Sequence, residues 1–282
     1  MTDIDRRRAE VAEAIAGLGY EGIIRFDESE PEYEFLISAT EEFESTKHLA
    51  LLTILATTQD YQLNGDAQRF WETLEETLQN WDTLDSESTV NEVLAEFMEQ
   101  PVNARLRDQK QDRLVRMIDN GFGEWFPSQY PGVDPYRVWE EIAEALETTM
   151  DKKTVVLAVK AYDEFNLIVN GEYLDLPTDV PIPCDLQVKR VARAAGIVED
   201  ESTDVVMDAW ADVMDQVNAI LERPVSMFRV DSIVWQAGQI ISKHNDQKEP
   251  SRRALQNHFK NTGLQEEQAQ QLASEFTTTL SS

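Results

Sequence analysis

The chain has a single cysteine, Cys184, among its 282 residues. That excludes an intramolecular disulfide, a four-cysteine cluster and a cysteine-rich structural zinc site. Its three histidines, His48, His244 and His258, stand far apart and offer no metal-ligand spacing, so neither a metal nor another cofactor is expected. No run of about 18 uncharged apolar residues occurs, the minimum for a membrane-crossing helix. The opening MTDIDRRRAEVAEAIAG reads as a charged amphipathic helix rather than a signal peptide. The expectation is a cytoplasmic protein without a membrane partner. Sustained two-residue alternation is also missing, which excludes a core sheet. Only the segment from Gly19 to Ser38, with GIIRF and EYEFLIS, suggests short strands.

Positive charge is scarce as well: 25 basic side chains face 54 acidic ones, for a net charge of −29. A chain so charged repels itself and nucleic acid at low salt. The acid is spread over every segment, and arginine (16) outnumbers lysine (9). This pattern fits an ordinary protein from a salt-rich cytoplasm better than an acidic interaction tail. In molar salt the Debye length is about 3 Å, and long-range repulsion from DNA is screened.

What is present is helical periodicity almost throughout. Helices are expected over roughly 4–17, 46–59, 65–80, 88–99, 102–119, 135–149, 152–168, 185–196, 202–221, 227–243, 250–261 and 265–279. Breaks are expected at Gly121 to Asp134 and at Asn170 to Cys184, both rich in glycine and proline. The reading is an all-α protein: residues 1–44 hold an N-terminal helix and the short strands, and 45–282 form the main helical domain.

Chemistry concentrates after Ala143. A helix ending near Thr149, a short turn and a helix starting at Lys152 or Lys153 make a helical hairpin over about 135–168. A lysine in a first helical turn sits among free backbone N–H groups, which favour a phosphate and disfavour an ammonium. Burial acts in the same direction and leaves the amine nucleophilic. Downstream, PIPCD places Asp185 at a helix N-cap, where backbone donors hold a carboxylate ionised and fixed. Such a group stabilises positive charge growing on a sugar as a base departs. Taken alone, Lys153 fits a solvated helix-start lysine better than a nucleophile, and Asp185 a plain cap better than a catalytic group.

The ordered runs DKKTVVLAVK, PIPCDLQV and FRVDSIVWQAG resemble the archaeal 8-oxoguanine glycosylases of the helix-hairpin-helix superfamily. YQL at 61–63, GDAQRFW ending at Trp71, and NARLRDQKQDRLVR extend the resemblance over about residues 45–245. The resemblance implies a two-lobed, all-α glycosylase fold with its active site in the cleft between the lobes. Lys153 is then the nucleophile and Asp185 the catalytic carboxylate. It also implies that Gln62, Asp231 and Trp235 meet the extruded base, with Leu157 where the family tends to place a phenylalanine. Asp231 and Trp235 stand at i and i+4, on one helix face, so an acceptor and a stacking ring fall together. Without the resemblance, Trp235 reads more readily as a core tryptophan and Gln62 as a structural hydrogen bond. The turn before Lys153 lacks the glycines of the common hairpin.

For phosphate contacts the better candidates are Lys189, Arg190 and Arg193, which follow Asp185. Arg105, Arg107, Lys110, Arg113 and Arg116 form a second group, interleaved with Asp108 and Asp112. The expected function is base-excision repair. A monomer would act on double- or single-stranded DNA containing 8-oxoguanine, associated with the nucleoid, through a lysine Schiff base and β-elimination. The alternatives are a catalytically degenerate relative that binds DNA or a protein, and a purely structural acidic protein.

Overall fold

A computed structural model describes residues 2–177 and 180–281. Among them are fifteen α-helices and no strand. The expected loop from Asn170 to Cys184 includes Thr178 and Asp179, which lie outside the described residues. The chain divides into two compact units, Met1–Glu30 with Pro177–Ser282, and Pro31–Leu176.

The first unit holds α1 (Asp3–Ala16) and α2 (Gly19–Ile24), and the second holds α3 (Pro31–Glu42), α4 (Thr46–Thr57), α5 (Ala67–Leu78), α6 (Glu87–Met98), α7 (Arg107–Asp119), α8 (Phe122–Gln129), α9 (Pro135–Ala145) and α10 (Lys153–Asn170). The chain then returns to the first unit with α11 (Leu186–Ala195), α12 (Thr203–Ile220), α13 (Met227–Lys243), α14 (Lys248–Asn261) and α15 (Glu266–Glu275).

In the first unit, α1 starts with a reciprocal cap: Thr2 Oγ1 accepts from Asp5 N at 3.1 Å and Asp5 accepts from Thr2 N at 2.8 Å. Its apolar stripe of Val11, Ala12 and Ile15 is buried, and the helix packs on α12. Arg7 ties it to the far end of the sequence, donating to Ala195 O at 3.0 Å and pairing with Glu275 at 2.7 Å. A buried ion pair between Arg229 and Asp27 latches α13 to the turn after α2, and Ser232 Oγ donates to Asp27 at 2.8 Å. Removing one member of a buried pair strands the other charge, which costs about 3–5 kcal/mol. Asp27→Ala is therefore expected to lower the urea midpoint by that equivalent, and Asp27→Leu with Arg229→Met to recover most of it. An unchanged midpoint for Asp27→Ala would show that the pair does not hold α13.

The second unit is built around α4, buried at every residue from His48 to Thr57, as a helix apolar all round must be. Helices α10, α6 and α8 pack around it. Trp71 belongs to the core, its ring 5.3 Å from Phe35 and 5.4 Å from Phe70.

Two expectations are corrected. GIIRF and EYEFLIS fall in or beside α2 and α3 rather than in strands. In α3 the buried residues Phe35, Leu36 and Ala39 follow helical spacing, so the run of apolar residues serves a helix face. The Gly121–Asp134 break contains α8, with Pro127 inside it. A mid-helix proline forfeits one backbone hydrogen bond. Here aromatic burial outweighs the loss: Phe126 stacks on Phe122 at 5.8 Å and meets Tyr162 edge-on at 5.4 Å.

Candidate active site

In the second unit, α9 and α10 form the helical hairpin. The turn between them does without glycine because Glu147 takes the left-handed conformation, φ +52°, at some cost for a residue with a Cβ. Hydrogen bonds hold it there. Thr148 N donates to Ala143 O at 3.0 Å, Trp139 Nε1 to Met150 O at 2.8 Å, and Asn120 Nδ2 to Ala145 O at 2.9 Å. Lys152 is the N-cap of α10 and is exposed, while Lys153 is its first residue and is half-buried. Among the described residues no side chain caps α10; Val155 N donates to Lys152 O at 2.8 Å, which leaves the Lys153 and Thr154 amides available to an anion. Leu157 lies one turn on, on the same face as Lys153, and is also half-buried.

Gln62 belongs to the same unit, exposed, with φ +48°. The ring of Tyr61 before it lies against two cations of α7, 5.2 Å from Lys110 Nζ and 5.3 Å from the Arg113 guanidinium. Arg113 donates to Thr58 O at 3.4 Å and to Thr154 Oγ1 at 2.9 Å. Arg113 thus joins the loop of Gln62 to the residue next to Lys153. This reassigns part of the basic group on α7. Lys110 is fully buried, with Nζ 3.2 Å from Asn103 Oδ1, and burial pushes its ammonium down to about 8. Burial likewise lowers the Arg113 guanidinium. Of the five cations, Lys110 is interior and Arg113 half-buried, both against Tyr61, and the sequence carried no signal for this because Tyr61 lies far away in the chain.

In the first unit, Asp185 is the N-cap of α11, with Oδ1 accepting from Gln187 N at 2.7 Å and from Val188 N at 3.0 Å. Among the described residues Asp185 Oδ2 receives no hydrogen bond. One oxygen is committed to the helix and the other is unengaged. Leu186 beside it is 66% exposed, so the carboxylate stands at an open helix end.

Helix α13 packs along α11. Asp231 is buried and Trp235 half-buried on one face of α13, while Arg229, Ser232 and Gln236 on the other face bind Asp27, Phe26 and Glu30. Trp235 therefore keeps an exposed edge and is not a closed core residue. Burial pushes the Cys184 thiol up to about 11, with Lys189 opposing and Asp185, Asp231 and Asp204 adding to the shift. A thiol held so protonated is no nucleophile.

The cations after Asp185 are engaged within their own unit. Lys189 Nζ bonds Thr203 Oγ1 at 2.9 Å, Arg190 pairs with Asp246 at 3.0 Å, and Arg193 pairs with Glu201 at 3.3 Å and Asp246 at 3.5 Å. A phosphate would compete with Asp246 for two of the three.

The crystal structure of an 8-oxoguanine DNA glycosylase from Pyrobaculum aerophilum, complexed with 8-oxoguanosine, is similar at a TM-score of 0.71 and 18% identity, covering 84% of this chain and 89% of that one. The chain has the all-α fold of the helix-hairpin-helix glycosylases. A family model described as N-glycosylase/DNA lyase matches residues 12–272, and the N-glycosylase/DNA lyase of Pyrobaculum aerophilum is 21% identical over 238 residues, 82% of this chain and 86% of the relative. The chain belongs to this N-glycosylase/DNA lyase family and is an enzyme of that class, acting on DNA.

Proposed function

We propose that the enzyme removes 8-oxoguanine from DNA and then nicks the strand, with Lys153 as nucleophile and Asp185 as its assisting carboxylate. The observation that carries the reading is the Asp185 cap, in which Oδ1 is fixed by two amides and Oδ2 is left unclaimed. Lys153 Nζ, in its neutral form, attacks C1′ as the bond from C1′ to the base breaks and the base leaves with a proton. The ionised Asp185 offsets the positive charge that grows on the sugar. Opening of the sugar ring gives an imine between Lys153 and C1′. Loss of a C2′ proton then expels the 3′ phosphate, which is the lyase step.

The base-reading assignment follows from chemistry. 8-Oxoguanine carries a hydrogen on N7 that guanine lacks, and the Gln62 amide oxygen is suited to accept it. Asp231 accepts from the donors of the Watson–Crick edge while Trp235 covers the ring, with Leu157 as an apolar contact. The uncapped start of α10 supplies a phosphate seat, and Lys189, Arg190 and Arg193 supply further positive charge near Asp185. The likeness to a glycosylase solved with 8-oxoguanosine supports the choice of lesion.

The acidic surface belongs, on this reading, to a halophilic archaeon's protein. The test is release of free 8-oxoguanine from a labelled duplex and from the same single strand, in about 2 M potassium chloride, where the Debye length falls near 2–3 Å, and again at low salt. Release with no attack on undamaged guanine is expected, faster in high salt. DNA binding without release in either salt would instead mark a degenerate relative.

A further inference from the structure

Asp231, Trp235 and Gly238 fall at i, i+4 and i+7, on one face of α13. Gly238 is a point of close approach to α11. A Cβ built there would lie 2.7 Å from Gln187 Cβ, 2.7 Å from Gln187 O and 2.9 Å from Gln187 C. These are atoms of the first turn of α11, and Gln187 N is the donor at 2.7 Å to Asp185 Oδ1. The face that carries Asp231 and Trp235 therefore meets α11 at the residue that fixes the carboxylate.

We infer that Gly238 is a positioning residue, setting the spacing between the Asp185 carboxylate and the Asp231–Trp235 face. The inference rests on the proposed reading, in which Asp185 assists cleavage and α13 holds the base. Gln187 has little freedom to give way. Its side-chain oxygen accepts from Arg190 Nη1, and Arg190 Nε is held by Asp246 at 3.0 Å. Val188 and Val191 of the same helix are buried in the core of the unit. Alanine is the better helix former, so what glycine contributes here is the missing Cβ rather than backbone freedom. Any side chain at 238 pushes the first turn of α11, and Asp185 with it, away from α13. A misplacement of about 1 Å at a reacting centre costs on the order of 100-fold in rate.

The test compares wild type, Gly238→Ala and Val213→Ala in single-turnover release of 8-oxoguanine, with the DNA Kd and urea midpoint of each. Val213 is a core residue of α12, so its truncation weakens the same unit from a helix other than α11 and α13. Gly238→Ala is expected to lower the rate constant by about 100-fold with little change in Kd, while Val213→Ala loses stability and keeps its rate. A Gly238→Ala rate equal to wild type, or a loss shared by Val213→Ala, overturns the inference. If Gly238→Ala does not give a helical circular-dichroism spectrum, Gln187→Ala carries the test. It cuts the tie to Arg190 and loosens the same turn, so a slower rate at unchanged Kd is expected and an unchanged rate overturns. A wild type that releases no 8-oxoguanine would defeat the functional reading itself. An active wild type matched by Gly238→Ala would defeat this inference alone.

Discussion

Lys153→Gln is expected to abolish both base release and strand nicking, a fall of at least about 10³-fold, while the helical circular-dichroism spectrum and urea midpoint stay near wild type. Glutamine keeps the length and helix preference of lysine but has no nucleophilic amine. Lys153 is the first residue of α10 and only half-buried, so the substitution leaves no cavity. Its neighbour is the internal control. Lys152 is exposed at the N-cap and makes no side-chain capping hydrogen bond, so Lys152→Gln should keep its activity. Product analysis on an 8-oxoguanine duplex reads both variants. A Lys152→Gln enzyme that is inactive beside an active Lys153→Gln would reverse the assignment.

Asp185→Asn is expected to keep the fold and lose the chemistry. Asparagine caps helices about as well as aspartate, so the hydrogen bonds from Gln187 N and Val188 N to the side chain survive and α11 keeps its start. What disappears is the negative charge that the proposed mechanism sets against the sugar. Removing one such preorganised electrostatic group costs about 10²–10³-fold. The contrast is Asp185→Ala, which also loses the cap, worth about 1 kcal/mol, and should show a lower urea midpoint as well as the lost rate. The pair of variants separates charge from cap. Equal rates for Asp185→Asn and wild type in single-turnover release would remove Asp185 from the mechanism.

The parts legible in the sequence are those governed by local chemistry. The cap at Asp185 is a short-range pattern, an acid after PIPC and before an apolar helical stripe, and the structure has it as the N-cap of α11. The start of α10 at Lys153 was readable for the same reason, to within one residue. The spacing of Asp231 and Trp235 was enough to put both on one face of α13.

What was not legible depends on partners far apart in the chain. α8 forms despite Pro127 because Phe126 finds Phe122 and Tyr162, and no local propensity announces that burial. The cations of α7 read as one surface group. Lys110, buried, and Arg113, half-buried, instead face Tyr61, and only the fold reveals which side of the helix is which. Gly238 is visible in the sequence as a glycine within a helix, and its partner Gln187 is not.

A covalent bond between Lys153 and the sugar, as proposed, is read directly by sodium borohydride trapping. The enzyme is incubated with a labelled 8-oxoguanine duplex in about 2 M potassium chloride, chosen to screen the acidic surface, then reduced, digested and mapped by mass spectrometry. A stable adduct on Lys153 is expected, absent from an undamaged duplex and from Lys153→Gln. An adduct carried by Lys152 or any other residue, or no adduct from folded protein that still releases the base, would contradict it.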